Sequence, residues 1–220
     1  MSSKTENVIP ATAIQRESGI TIPSPKTIVN LALGGIAGLL IWEVFARVVT
    51  KAVLGYPLEP AGLIDAILNH QLGWSVNIWL REALHYGVGI LGYPIAYFVI
   101  SRHLPKWGAV LDMLVFVTFT AAVGFHMAQN GLSLGIVAFW VAVVALIASR
   151  FVNTNEAIAD ALTWGNFTWL NALCLMAPLG GLSFYLLGEG GDLSFMSFTG
   201  HVIYGAVAVI VFNRLEARAV

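Results

Sequence analysis

Six apolar runs, each close to the length that a helix needs to cross a lipid bilayer, constrain the fold of this chain most strongly. A helix needs about 20 residues to cross a hydrocarbon core about 30 Å thick, and the backbone of a span must satisfy its hydrogen bonds within that span. The runs cover residues 27–49, 82–101, 108–127, 132–150, 167–187 and 195–212. They predict an all-α, polytopic transmembrane helical bundle of about six spans.

The composition favours a membrane protein over a soluble one. Hydrophobic residues make up 58% of the 220 residues and charged residues only 10%, whereas a soluble domain carries roughly a quarter charged residues. The formal net charge of −1 leaves no basic excess for nucleic-acid binding. The expected partner is therefore the lipid bilayer, with a membrane-protein partner or a homo-oligomer as further alternatives.

The chain divides into one membrane domain and two short tails. Residues 1–26 are polar, contain Pro23 and Pro25, and lack the charged start and apolar core of a signal peptide. They predict a flexible cytoplasmic tail. The transmembrane domain is expected over residues 27–214, and residues 215–220 are expected to form a second cytoplasmic tail.

The longest connection, at about residues 52–80, is predicted to contain a short amphipathic helix. Pro57 and Pro60 interrupt the chain. The apolar residues that follow recur at helical spacing and are Leu63, Ile64, Ile67, Leu68 and Leu72. This helix is too short to span, so we expect it to lie on the outer surface of the membrane. A re-entrant hairpin is the alternative.

The distribution of Lys and Arg predicts the orientation. With the amino terminus inside, the inner segments carry eight of these residues, which are Lys4, Arg16, Lys26, Arg102, Lys106, Arg150, Arg214 and Arg218. The outer segments carry only Arg47, Lys51 and Arg81. Because positive residues concentrate in cytoplasmic loops, we expect a bacterial inner-membrane protein with both termini in the cytoplasm.

Glycine and proline residues predict close helix contacts and kinks. Small residues four positions apart let helices approach closely, and the chain contains Gly34 with Gly38 and Gly131 with Gly135. Pro94 and Pro178 lie inside apolar runs. Each removes one backbone hydrogen bond, which predicts a kinked helix rather than a break.

Five ionisable side chains in or beside the spans are predicted to share the outer leaflet. An ionisable group near the bilayer centre costs on the order of 2.5–3.5 kcal/mol, so it needs a partner, a watery cavity or a function. The assumed topology brings together Glu43, Glu82, His85, His126 and His201. Imidazole and carboxylate suit zinc, iron or haem, so the cluster is a candidate site for haem or a divalent metal. The alternative is that each histidine is a hydrogen-bonded residue near a helix end.

Two other charged residues have partners close by in the sequence. Arg47 follows Glu43 by one helical turn, acid first, which predicts an ion pair on one helix face. Asp112 lies one turn inside the third span, where Lys106 can reach it. A proton-relay role for Asp112 is the alternative to this structural pairing.

Two short segments resemble a known group of membrane proteins. The first is His85-Tyr86-Gly87-Val88-Gly89-Ile90 with Gly92-Tyr93-Pro94 and Tyr97, and the second is Gly200-His201-Val202-Ile203-Tyr204-Gly205. They resemble segments of the small, uncharacterised bacterial inner-membrane proteins of the YagU-like kind, which carry similar His-x-x-x-Gly spans near the middle and the end of the chain. The resemblance covers two of the six spans and implies a membrane location and a helical fold.

The sequence favours a binding function over soluble-enzyme chemistry. It contains no glycine-rich phosphate loop after a strand, no Gly-x-Ser-x-Gly elbow and no nucleophile with a recognisable local base. We expect an integral membrane protein with a polar pocket between the first, second, third and sixth spans, open to the outer face, that binds a small ligand, a metal or a cofactor. An accessory or assembly subunit and a small-solute transporter are the alternatives.

The predicted topology can be tested by labelling. Single cysteines placed within residues 55–80 are expected to react with a membrane-impermeant maleimide added to intact cells, because this connection is predicted to face outward. Labelling that requires permeabilised cells would contradict the assumed number of crossings.

Overall fold

The computed structural model describes residues 22–103 and 106–218, and this part of the chain contains helices and no β-strand. The predicted all-α fold is thus confirmed. Most of the tail predicted at residues 1–26 lies outside the described residues. The helices are α1 Pro25–Leu54, α2 Pro60–Leu72, α3 Ile78–His103, α4 Trp107–Asn130, α5 Leu134–Val152, α6 at residues 156–179 and α7 Gly191–Ala217.

Helices α1, α3, α4, α5 and α7 are long and apolar enough to cross a membrane. Helix α6 is not among them, and it differs from the span predicted at residues 167–187. It begins at Glu156 and ends at Leu179. Its first half contains Thr163 and Asn166, which lower its hydropathy but are only 1% exposed. The search for apolar runs in the sequence missed the first half of α6, because the polar side chains of this half face other helices rather than lipid.

Helix α6 forms the centre of the bundle and runs its full length. Trp164 and Trp169 of α6 are fully buried. Near the start of α6, Thr163 bonds to the start of α4, whereas Gly180, directly after its end, lies against α2. At 1.5 Å per residue α6 is about 36 Å long, which exceeds a hydrocarbon core of about 30 Å.

Two glycines allow α6 and α7 to touch along their backbones. A Cβ on Gly205 would lie 2.3 Å from the backbone nitrogen of Gly165. A Cβ on Gly165 would lie 2.5 Å from the Cα of Val202. Both distances are too short for a side-chain carbon, so only glycine permits this approach.

The predicted pair Gly34 and Gly38 makes a second close contact, between α1 and α7. A Cβ on these residues would lie 2.6 and 2.9 Å from carbonyl oxygens of α7, so close packing is confirmed for this pair. The same prediction is wrong for Gly131 and Gly135. A Cβ on Gly131 would have open space around it, and a Cβ on Gly135 would meet only Ser133, at 3.7 Å. Gly131 lies in the turn after α4, and Gly135 lies in the first turn of α5.

Helices α1, α3 and α6 each contain a π-helical turn. In α3 the segment Val88–Gly92 precedes Pro94, and in α6 the segment Asn171–Met176 precedes Pro178. A widened turn accommodates the missing N–H and the bulk of the proline ring. Helix α3 therefore continues through Pro94, as the sequence predicts. Helix α6 ends at Leu179, one residue after Pro178, so the prediction of a kink rather than a break is wrong at Pro178. The third π-helical turn, Phe45–Val49, contains no proline.

The predicted amphipathic helix is α2, and it lies across one end of the bundle. At this end, named here the α2 end, helices α1, α4 and α6 finish and α3, α5 and α7 begin. Gln71 of α2 donates a hydrogen bond to the carbonyl of Leu179 at 2.7 Å. Arg81 of α3 lies 3.8 Å from Asp65 of α2. These contacts hold α2 against α3 and α6.

Replacing Gly205 with alanine is expected to lower the free energy of unfolding by about 1–3 kcal/mol, because the methyl group overpacks the contact between α6 and α7. Gly124→Ala is the matched control, since a Cβ there meets nothing within 4 Å and alanine favours the helix. Unfolding of both variants in mixed micelles would measure the difference. Equal stabilities would contradict the backbone contact.

Candidate binding cavity

A half-enclosed cavity of about 380 Å³ lies at the α2 end, between α1, α3, α6 and α7. Helix α2 and the segment before it form one side, and the loop after α6 forms another. The inner wall carries the buried side chains of Trp42, Leu173 and Tyr204. The rim carries Val88, which is 36% exposed, and Tyr56, which is 49% exposed. The cavity therefore opens on the side of the bundle, beside α3.

His201 presents one ring nitrogen without a hydrogen to the cavity. Its Nδ1 lies 2.8 Å from the carbonyl oxygen of Ser197. A carbonyl oxygen only accepts, so Nδ1 carries the hydrogen and Nε2 of the neutral ring is an acceptor. The ring packs on Trp42 with 4.5 Å between centroids. Gly200 makes this possible, because a Cβ there would lie 1.9 Å from the Trp42 ring.

Four charged or titratable side chains join α1 to α3 beside the cavity. Glu43, Arg47, Glu82 and His85 are named here the ion-pair cluster. Arg47 Nη2 donates to both carboxylate oxygens of Glu82 at 2.8 Å, and Arg47 Nε donates to Glu43. The ion pair predicted between Glu43 and Arg47 is thus confirmed. With a neutral imidazole the cluster carries a net charge of −1.

The ion-pair cluster fixes the orientation of one cavity-lining imidazole. His85 Nε2 lies 3.0 Å from Glu43 Oε1, and an ionised carboxylate only accepts, so Nε2 donates. His85 and His201 both line the cavity. The structure therefore brings together two of the three predicted outer-leaflet histidines.

The third predicted histidine, His126, lies apart from this cavity. It lines a separate depression at the α2 end together with Ser133 and Asp192, and its backbone carbonyl accepts from Asn130 at 3.0 Å. Within residues 22–103 and 106–218, no three His, Cys, Asp or Glu side chains are arranged to hold a metal ion. Binding of haem or a divalent metal by Glu43, Glu82, His85, His126 and His201 stays a prediction.

A second polar cluster lies at the opposite end of the bundle. Asp112 of α4 is 1% exposed and accepts hydrogen bonds from Thr163 at 2.7 Å and Asn166 at 3.2 Å, both on α6. Its cationic neighbour is Arg150 of α5, at 3.9 Å, rather than Lys106. Arg150 also pairs with Asp160 at 3.0 Å. This cluster ties together α4, α5 and α6.

Sequence reasoning missed most of the cavity wall. Helix α4, expected to border the pocket, contributes no lining residue among those described, and α6 takes its place. Trp42, Tyr93 and Leu173 look like ordinary core residues in an apolar run. The signals that existed were His85 and His201, each followed by glycine and tyrosine within about a turn or two.

Comparisons with known proteins give no match. No protein-family model matches the sequence, and neither the curated proteins nor the solved structures give a significant match. The resemblance of the His85 and His201 segments to the YagU-like proteins therefore stays a prediction. The cavity and its side chains are the features of the molecule that bear on function.

Arg47→Gln is expected to lower the free energy of unfolding by about 1–3 kcal/mol, because Glu43 and Glu82 lose their shared partner. The loss is smaller than the ~3–5 kcal/mol typical of a fully buried pair, since 38% of the Arg47 side chain is exposed. Arg214→Gln, at an exposed position in α7, is the control and is expected to change little. An equally small effect at Arg47 would contradict a stabilising role for the cluster.

Proposed function

We propose that this chain is an integral membrane protein that binds a small amphiphilic molecule in the cavity at the α2 end. The observation that carries the proposal is an apolar, half-enclosed cavity bordered by two imidazoles, His85 and His201. Its volume of about 380 Å³ falls within the roughly 300–1,000 Å³ of small-molecule sites. Apolar walls with a few convergent polar groups are typical of such sites.

The position of the opening supports access from the membrane. The exposed rim residue Val88 belongs to α3, one of the five helices that are long and apolar enough to span. Tyr56 lies on the same rim and, as an amphipathic aromatic, suits the zone between lipid and water. A molecule dissolved in the bilayer can thus reach the cavity without crossing the core of the protein.

We further propose that the chain lies in a bacterial inner membrane, with both termini in the cytoplasm and the α2 end facing outward. The excess of Lys and Arg in the predicted inner segments supports this orientation. The length of α6 supports it as well, because residues 156–179 are enough for a sixth crossing, and an even number of crossings returns the chain to its starting side.

The two π-helical turns at Val88–Gly92 and Asn171–Met176 give the cavity wall its shape. Val88, Gly89, Ala172 and Leu173 all line it. Such turns occur frequently at functional sites, because they redirect side chains and backbone groups within an otherwise regular helix. This clustering supports the cavity as the functional part of the molecule.

Naphthylmethanol, a small neutral amphiphile, is expected to bind one site per chain in protein held in lipid nanodiscs, as measured by equilibrium dialysis. In Leu173→Trp the larger side chain fills the inner part of the cavity, so this variant is expected to lose the binding site. Leu114→Trp is the matched control, since Leu114 is exposed on α4 and is not among the lining residues. The nanodisc lipid takes up the same amount of naphthylmethanol in the wild type, Leu173→Trp and Leu114→Trp. The difference in bound naphthylmethanol between these samples therefore measures binding in the cavity.

A second variant keeps the test decisive if Leu173→Trp fails to fold. Val88→Trp acts at the exposed rim and is expected to reduce binding without disturbing the core. Equal uptake by the wild type and Val88→Trp, together with unsaturable uptake, would overturn the proposal.

A further inference from the structure

We infer that the cavity selects an organic cation, an amphiphile whose polar group is a protonated amine. The inference rests on the proposed function and adds the chemical class of the ligand. Three independent features of the cavity support this inference. They are the charges around the cavity, the aromatic side chains in its wall, and the hydrogen-bond acceptors that its polar groups still offer.

The charges around the cavity are negative. Glu59 and Glu189 are among its lining residues, and among the described lining residues none is Lys or Arg. Behind His85 lies the ion-pair cluster, in which two carboxylates share one guanidinium. Arg81 approaches Glu59 only to 3.9 Å. Glu59 and Glu189 are exposed, so water screens part of their charge. An anionic head group would still meet no Lys or Arg among the described lining residues, whereas an ammonium group would be attracted.

Aromatic rings line the cavity. Trp42, Tyr56, Tyr93 and Tyr204 all belong to the lining. Tyr93 and Tyr204 lie next to each other, with 6.1 Å between ring centroids. The faces of such rings attract a cation, and the attraction strengthens where water is excluded. Aromatic walls next to carboxylates are the arrangement that recognises alkylammonium groups.

Three polar groups in the inner part of the cavity have their hydrogens engaged, whereas the Ser197 hydroxyl, 3.4 Å from His201 Nδ1, keeps a hydrogen to donate. Tyr204 donates to the carbonyl of Gly89 at 2.6 Å. Tyr93 donates to the Asn171 side chain at 3.1 Å. His201 donates from Nδ1 to a backbone carbonyl. Each of these groups can still accept a hydrogen bond but has none left to donate.

This arrangement matches an ammonium group better than a hydroxyl or a carboxylate. An ammonium group has three donors and no acceptor, a hydroxyl has one donor with two lone pairs, and a carboxylate only accepts. A wall with several acceptors and one free hydroxyl gives a ligand carboxylate fewer donors than its two oxygens need. Such a shortfall is costly once the carboxylate is removed from water. The preferred order of ligands with the same body is therefore amine, then alcohol, then carboxylate.

The experiment compares three probes with one aromatic body in nanodiscs at pH 7: naphthylmethylamine, naphthylmethanol and naphthoate. The binding of each is the uptake by the wild type minus the uptake by Leu173→Trp or Val88→Trp. The amine is expected to bind about tenfold more tightly than the alcohol, and naphthoate is expected to bind most weakly. Uncharged, zwitterionic lipid in the nanodiscs removes attraction of the amine to the bilayer.

Two variants separate the causes of the preference. Glu59→Gln combined with Glu189→Gln is expected to reduce the ratio of amine affinity to alcohol affinity by about threefold or more, because the removed charges act on the ammonium group and not on the hydroxyl. His201→Phe keeps a ring against Trp42 but removes the Nε2 acceptor. It is expected to weaken the binding of both the amine and the alcohol by about fivefold.

The outcomes distinguish this inference from the proposed function. If the alcohol or the carboxylate binds as tightly as the amine, the cation preference is wrong and the amphiphile site stands. If no probe shows a difference between the wild type and both filled variants, the proposed function fails and the inference fails with it. An amine preference that is undiminished in the double glutamate variant would also overturn the inference, since the charges around this cavity would not be its cause.

Discussion

The backbone contact between Gly165 of α6 and Gly205 of α7 is the constraint on which the rest of the bundle depends. Helix α6 carries polar side chains such as Thr163 and Asn166 and is too polar to face lipid, so other helices must cover it. Inside a bilayer the hydrophobic effect does not favour helix association, so van der Waals contacts between closely packed helices must supply the attraction. Glycine at both positions lets α7 lie directly on α6, and α1 then packs on α7 through Gly34 and Gly38.

Burial of α6 explains why the two ends of the bundle differ. In the first half of α6, Thr163 and Asn166 donate to Asp112, although Asn166 Oδ1 and the Trp164 indole N–H have no hydrogen-bond partner among the described residues. At its other end α6 becomes apolar and widens into the π-helical turn before Pro178. The space left between α1, α3, α6 and α7 is not filled by side chains. The cavity therefore lies at the α2 end.

The ion-pair cluster links stability to the shape of the cavity. Arg47 donates hydrogen bonds to the carboxylates of both Glu43 and Glu82. These bonds hold the end of α1 and the start of α3 together where the cavity opens. The same cluster orients His85 through Glu43. Placing both carboxylates on Arg47 also explains why these side chains, which have suitable chemistry for a metal, form no three-ligand group in the described part of the chain.

The sequence alone determined the helical class, five long apolar helices of the six spans that it predicted, the amphipathic α2 and the short-range Glu43–Arg47 pair. These features depend on periodicity and on neighbours within a turn. Tertiary structure decided the rest. The start of α6, the Arg150 partner of Asp112 and the replacement of α4 by α6 in the cavity wall depend on which helix faces which. An apolar helix that packs against lipid on one side and protein on the other has no hydrophobic face to reveal its orientation, so only the packed bundle fixes it.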